Sequence, residues 1–309
     1  MELDFLDWLR DRLPTPAGVL LGVGDDAAVL GDSAAERTVA TADLLVDGVH
    51  FLTAEHAPER IGRKALAVNL SDLAAMAAEP TGCLVSLAIP RGGAGGVGPG
   101  ELARRLIEGM APLAEEFGCP IVGGDTNATD GPLVVAVTAL GRPNPRGLVR
   151  RDGARPGDWL MVTGEGLGGS LAGKHLDFTP RVAESLRLVE RVDVHALMDL
   201  SDGLATDLPR LCAASGVGAV VFREHVIVSE AAERAATPGR SAFDRALGDG
   251  EDFELLFAVT PEAGRELLAR APFAVGTSWV GEVESGDRVE VQAADGSRAP
   301  LPTGGYEHR

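Results

Sequence analysis

A chain of 309 residues, 45 % of them hydrophobic, has room for two domains with their own cores and is too apolar to be disordered. Its formal charge of −18 excludes a protein that grips nucleic-acid phosphates through a basic surface, and suits one whose acids bind cations. Three dispersed cysteines without a CxxC pair, no secretory pattern at the start and no membrane-length apolar run lead to the expectation of a cytoplasmic protein.

Leu3, Leu6, Leu9 and Leu13 recur at helical spacing, so a short amphipathic helix is predicted before Pro14. "GVLLGVGDDAAVL" and "RTVATADLLVDGVHF" read as strands broken by glycine. "ERIGRKALAVNLSDLAAMAAEP" reads as a helix that stops at Pro80, followed by the strand "TGCLVSLAIP". A glycine-rich loop over 91–100 leads to the helix "GELARRLIEGMAPLAEEFG", closed by Gly118, and then to strands "CPIVGGDTNA" and "GPLVVAVTALGR". The Pro-, Gly- and Arg-rich stretch "GRPNPRGLVRRDGARPGD" marks a domain connection, giving domains 1–142 and 143–309. Beyond it the strand "DWLMVTG" is followed by a glycine-rich turn and helices "RVAESLRLVERV" and "SDGLATDLPRLCAASG". Strands "GAVVFR", "FELLFAVT" and "FAVGTSWVGEV" complete the second half. The mixture in both halves predicts two mixed α/β domains of the α+β type.

Carboxylates carry the chemistry. Asp25, Asp26, Asp43, Asp72, Asp125, Asp199, Asp202, Glu251 and Asp252 stand in short turn-like settings beside small residues. Any one of them could be a helix cap or turn former, Asp202 among them. Converging acids, however, repel and require cations, because uncompensated buried charge is costly. Oxygen ligands with almost no Cys or His nearby select Mg²⁺, Ca²⁺ or Mn²⁺ over zinc. Mg²⁺ keeps waters and leans on substrate phosphates, and bare glycine amides can approach phosphate oxygens. The residues alone therefore point to a metal-dependent phosphoryl enzyme. Adjacent residues of an extended segment face opposite sides, so Asp25 and Asp26 need not share a site, and Asp25 is expected to hold the turn through backbone hydrogen bonds.

Three motifs compete with this reading. "GEGLGG" (164–169) matches a dinucleotide fingerprint, although Glu184 falls in a helical segment rather than at the end of a second strand. "GGSLAGKH" approaches a P-loop but ends in His175 where a hydroxyl should hold Mg²⁺. "DTNATDG" approaches a calcium loop with its third acid one residue late.

In chain order, "GVGDDAAVL", "TADLLVDGVHF", "KALAVNLSDLAAMAAEP", "IVGGDTNA", "RDGARPGDWLMVTG", "DLSDGLATDL", "GDGEDFELLF", "VGEV" and the closing "GGY" resemble the thiamine-monophosphate kinase family. That family lies within the superfamily named for aminoimidazole ribonucleotide synthetase. The resemblance implies two α/β domains and a homodimer whose amino-terminal sheets pair into a barrel, with ATP near that interface. It also implies direct transfer of the ATP γ-phosphoryl group to thiamine monophosphate, giving thiamine diphosphate and ADP, with several Mg²⁺ ions. At the matching positions it implies Asp26, Thr41, Asp43, Asp72, Asp125, Asp199 and Asp202 as metal ligands. Of these, Asp43, Asp72, Asp125 and Asp202 would serve the reacting phosphates. Gly124, Asp125, Arg151 and Ser201 would meet the nucleotide, and His50, Glu251 and Tyr306 would line the thiamine phosphate pocket. A phosphate acceptor is already ionised at neutral pH, so no strong general base is expected. Plain alternatives for two of these residues are a structural histidine at position 50 and a solvated linker arginine at 151.

Two departures bear on the pocket. Ala42 stands where the family often has threonine, and the segment 164–181 is short of the family's helical insert. Other readings are an ATP-using enzyme of the same superfamily with a different phosphate or amide substrate, a nicotinamide oxidoreductase built on "GEGLGG", and a non-catalytic cation-binding module.

Overall fold

The computed structural model describes residues 16–31, 37–302 and 304, together with Phe5, Trp8, Leu9, Arg12 and Leu13. Most of the predicted opening helix, and Tyr306, lie outside the described residues. The first half forms β1 (Val19–Leu21), β2 (Ala28–Leu30), β3 (Thr38–Val46), α1 (Pro58–Ala75), β4 (Ala78–Pro90), α2 (Pro99–Glu116), β5 (Ile121–Thr129) and β6 (Val134–Pro143). Its strands lie in the order β1-β2-β3-β6-β4-β5, with only the β4–β5 pair parallel.

Two boundaries differ from expectation for local reasons. "GVLLGVGDDAAVL" is two short strands, because Gly24 at φ +130° turns the chain and leaves Asp25 and Asp26 in the turn. Helix α1 ends at Ala75, ahead of Pro80, because Ala77 adopts φ +50° and redirects the chain into β4. Pro80 then sits inside β4 beside a register shift, where a missing N–H is tolerated.

Helix α1 is buried almost all round, with Ile61, Leu66, Leu70 and Leu73 each at 0 % exposure. It packs on α2 at close range: a Cβ at Gly62 would lie 2.0 Å from the Leu106 carbonyl oxygen. The inner face of the sheet, including Val85, Leu87, Val135 and Val137, closes one side of it.

The second half contains β7 (Trp159–Thr163), α3 (Lys174–Asp177), α4 (Val182–Arg191), β8 (Val194–Asp199), α5 (Leu204–Ser215), β9 (Gly218–Phe222), α6 (Glu230–Ala235) and α7 (Ala242–Gly248). It ends with β10 (Leu255–Val259), α8 (Pro261–Arg270), β11 (Thr277–Glu284), β12 (Val289–Gln292) and β13 (Arg298–Pro300). The strand order is β13-β12-β9-β11-β7-β10-β8. Alternating residues of β8 and β10 serve two cores. Leu197, Leu255 and Phe257 join the core around α1, whereas Ala196, Met198, Leu256 and Ala258 join one that includes Leu208 and Leu211 of α5. Helix α1 is thus packed between the two sheets, and it is the element that can carry side chains to a site shared by both halves. Among the described residues no helix is long and apolar enough to cross a membrane.

Candidate active site at a buried acidic cluster

Three carboxylates from distant parts of the chain meet: oxygens of Asp26, Asp72 and Asp199 all lie within 4.8 Å of one another. The β1–β2 turn delivers Asp26, α1 delivers Asp72, and Asp199 closes β8 at its carboxyl end. Strand β3 adds two more groups on its inner face, since the Thr41 hydroxyl donates to Asp72 and Asp43 hydrogen-bonds with Asp72. Ser71, beside Asp72, donates its hydroxyl to Asp199 across the junction of the two halves.

These acids hold one another's pKa values up. Burial pushes Asp26 and Asp72 well above the ordinary carboxylate range, and repulsion from neighbouring aspartates adds to it. Burial likewise pushes Asp199 up to about 6, opposed by the Ser71 hydrogen bond. Asp43 is raised by burial in the same way. The turn does not send Asp25 and Asp26 to separate places, as an extended strand would. Arg151 reaches both, with Nη2 2.6 Å from Asp26 and Nε 3.2 Å from Asp25. Asp25 also accepts from the Asp26 backbone N–H at 3.0 Å, the turn-holding bond expected of it.

One arginine does not balance this many carboxylates. Asp26 Oδ2 is buried and accepts no hydrogen bond within the described residues. A buried acceptor without a donor, set beside the carboxylates of Asp72 and Asp199, fits a hard divalent cation of the Mg²⁺ type. Asp26, Asp72 and Asp199 are the groups that would hold it, with Asp43 and Thr41 adjoining.

The titration carries a testable sign. The folded pKa of Asp199, about 6, exceeds its ordinary 3.8, so this residue favours the fold below its ordinary pKa and withdraws that support as pH rises through about 6. In EDTA the wild type loses stability against Asp199→Asn between about pH 4 and pH 6, by on the order of 2 kcal/mol. Thermal unfolding across that range reads the gap, and a gap independent of pH would contradict the assignment.

The other expected residues are placed as follows. Sheet register sets Asp43, Val137, Val85 and Gly124 in one inner row, and Leu44, Ala136, Ser86 and Asp125 in the next, outer one. Asp125 is therefore on the opposite face from Thr41 and Asp43, exposed, and bonded to Thr126 N–H and Asn127. Ala42 is also on that outer face, so a threonine there would not point at the cluster. Gly124 is tightly constrained: it has φ +150°, and a Cβ would fall 1.7 Å from the Val85 carbonyl oxygen. Asp202 pairs with Arg210 at 2.5 Å and is not one of the three converging acids. Nor does it cap α5. Gly203 is the N-cap, and buried Asp207 receives the backbone N–H groups of Asp202 and Gly203 at 2.9 and 3.0 Å.

Ser201 and Glu251 are neighbours, as the Glu251 N–H donates to the Ser201 carbonyl at 2.6 Å. His50 Nδ1 accepts from the Val46 N–H at 3.0 Å, which ties its ring to the end of β3. Sequence reasoning missed Ser71, Lys64, His175 and Arg210. The signal for Lys64 was its place, beside Arg63, at the head of the largely apolar run "ALAVNL".

The competing motifs are accounted for. Amides of "GEGLGG" are occupied by protein carboxylates: Gly168 N–H donates to Asp252 at 3.0 Å and Gly169 N–H to Asp249 at 2.9 Å. A pyrophosphate would meet those acids rather than open donors. Lys174 of the P-loop-like stretch pairs with Glu254 at 3.2 Å. "DTNATDG" lies mostly in extended β5 and is not a coiled calcium loop.

Residues 24–142 match the family model for the AIR synthase related protein N-terminal domain, and residues 155–294 match that for its C-terminal domain. A thiamine-monophosphate kinase of Rhodopirellula baltica is 42 % identical over 291 residues, covering 92 % of this chain and 89 % of the relative. A thiamine-monophosphate kinase of Synechococcus elongatus is 33 % identical over 320 residues, covering 92 % and 90 %. A solved structure described as "AaThiL complexed with AMPPCP and TMP" superimposes with TM-score 0.84 at 28 % identity, covering 100 % of this chain and 97 % of that one. The thiamine monophosphate kinase of Aquifex aeolicus gives TM-score 0.78 at 28 % identity, covering 96 % and 98 %. With its acids gathered from both halves and its length shared with these relatives, the chain belongs to the thiamine-monophosphate kinase family.

Proposed function

We propose that this protein is an ATP-dependent kinase that transfers the γ-phosphoryl group to thiamine monophosphate, forming thiamine diphosphate and ADP. The observation that carries the reading is the convergence of Asp26, Asp72 and Asp199, with Thr41 and Asp43 behind them, in a chain similar over nearly its whole length to such kinases. The relative solved with AMPPCP and TMP supports ATP as the co-substrate.

Asp26, Asp72 and Asp199 are assigned to holding Mg²⁺, with Thr41 and Asp43 fixing Asp72. Bound Mg²⁺ would screen the charge of the donor and acceptor phosphates, the principal demand of phosphoryl transfer. Arg151 keeps Asp25 and Asp26 oriented and brings a positive charge to the same place. Gly124 and Ser201 are assigned to the nucleotide side, with Asp125 and Asp202 as the further acids of that side. His50, Glu251 and Tyr306 are assigned to thiamine monophosphate.

The outer face of the first sheet exposes Leu44 and Leu84, and β5 presents exposed Val122 at its edge. An apolar sheet face of this kind suits closure against a second copy, so we infer a homodimer in which the sheets form a barrel. Three free, buried cysteines suit the reducing cytoplasm.

Incubation with γ-labelled ATP, Mg²⁺ and thiamine monophosphate tests the function. Label is expected in thiamine diphosphate. Label found only in inorganic phosphate, or transferred only to another acceptor, would overturn the assignment.

A further inference from the structure

Lys64 is wholly buried, at 0 % exposure, in the middle of α1. Its ammonium has three N–H bonds and finds three neighbours. They are the His50 carbonyl oxygen at 2.8 Å, Glu251 Oε1 at 2.5 Å and His175 Nδ1 at 3.0 Å. His175 Nδ1 also lies 3.2 Å from Glu251 Oε2, and this one ring nitrogen either accepts from Lys64 or, when protonated, donates to Glu251. The neighbours come from three segments: the turn after β3, helix α3, and the loop between α7 and β10. Two of those segments belong to the second half of the chain, whereas Lys64 and His50 belong to the first.

Such an arrangement is costly to build. Burial pulls the Lys64 pKa down, and the Glu251 carboxylate pulls it back. Glu251 itself sits at φ +54°, a backbone conformation unfavourable for a side-chain-bearing residue. Two hydrophobic residues would close the same junction with less desolvation. A buried charge that bonds the main chain of one candidate substrate residue and the side chain of another is explained by what it orients.

The geometry points to Lys64 as a positioning residue for the acceptor: it fixes His50 against Glu251 across the two halves, and so sets where thiamine monophosphate lies, without touching it. His175 is the second member of this clamp. The inference rests on the assignment of His50 and Glu251 to thiamine monophosphate. It separates the two substrates, because Lys64 bonds none of Asp26, Asp72, Asp199 or Arg151.

The test is steady-state kinetics of full-length wild type, Lys64→Met and His175→Gln with Mg²⁺, varying ATP and thiamine monophosphate separately. Lys64→Met is expected to raise KM for thiamine monophosphate roughly 10- to 100-fold, the range expected of displaced positioning groups. KM for ATP should stay within about twofold, because uniform damage to the fold would move both constants. His175→Gln should show the same split to a smaller degree, and it supplies the reading if Lys64→Met does not fold. Equal changes in both KM values, or a change in neither, would overturn the role of Lys64. Wild type that turns over no thiamine monophosphate would instead overturn the assignment on which it rests.

Discussion

Asp72→Asn is expected to lower phosphoryl transfer by about 10²–10³-fold, the loss typical of removing one preorganised electrostatic group. The same change should raise the melting temperature in EDTA, since a neutral side chain ends the repulsion with Asp43, Asp199 and Asp26. Mg²⁺ should then stabilise the variant less than the wild type, because ligands that bind only the folded state add stability in proportion to their affinity. The opposite signs of the two effects are the point. A structural residue would lose activity and stability together, whereas a ligand held among like charges loses one and gains the other. Thermal unfolding with and without Mg²⁺, beside initial rates, reads both. An asparagine variant that is destabilised in EDTA would contradict this account of the cluster.

Arg151→Met has the next largest effect, and it falls on stability. Asp25 and Asp26 have side-chain exposures of 3 % and 6 %, and the guanidinium bridging them is only 14 % exposed. Removing one partner of such a buried pair strands the other charge, at a cost of about 3–5 kcal/mol. Arg151→Lys should recover only part of this, because an ammonium lacks the planar fork that reaches two carboxylates at once. Denaturant unfolding measures both variants. A methionine variant within about 0.5 kcal/mol of wild type, the range of an ordinary surface substitution, would show that Arg151 is not the counter-charge of the turn.

Much of the site was legible because its chemistry is local in the chain. "GDD", "LSD" and "DLSD" each put an acid beside small residues at the edge of an apolar run, and Asp26, Asp72 and Asp199 from those three stretches are the ones that meet. Their common feature was visible, but their convergence was not. It depends on α1 being packed between two sheets, a tertiary fact that no window of sequence contains. The similar stretches "NLSDLA" and "DLSDGL" show the limit. In the first, Asp72 lies within a helix, whereas in the second the converging acid is Asp199, at the end of a strand.

The same limit explains the missed elements. "VHALMD" becomes β8 without polar alternation, because its residues are buried on both faces. α3, α6 and α7 are too short to display a helical period, although Ser241 and Asp244 form a capping box that signals α7. Lys64 was passed over because a lysine in a helix is ordinarily solvent-facing, and only the packing around α1 places it inside.

In the proposed reaction, acids brought together from both halves support phosphoryl transfer to thiamine monophosphate. A coupled ADP-release assay on wild type and Asp72→Asn, with thiamine monophosphate and ATP in Mg²⁺ or EDTA, tests it most directly. ADP release is predicted only in Mg²⁺ and only when thiamine monophosphate is present, with Asp72→Asn about 10²–10³-fold slower than wild type. Release in EDTA, or release by Asp72→Asn at the wild-type rate, would contradict it.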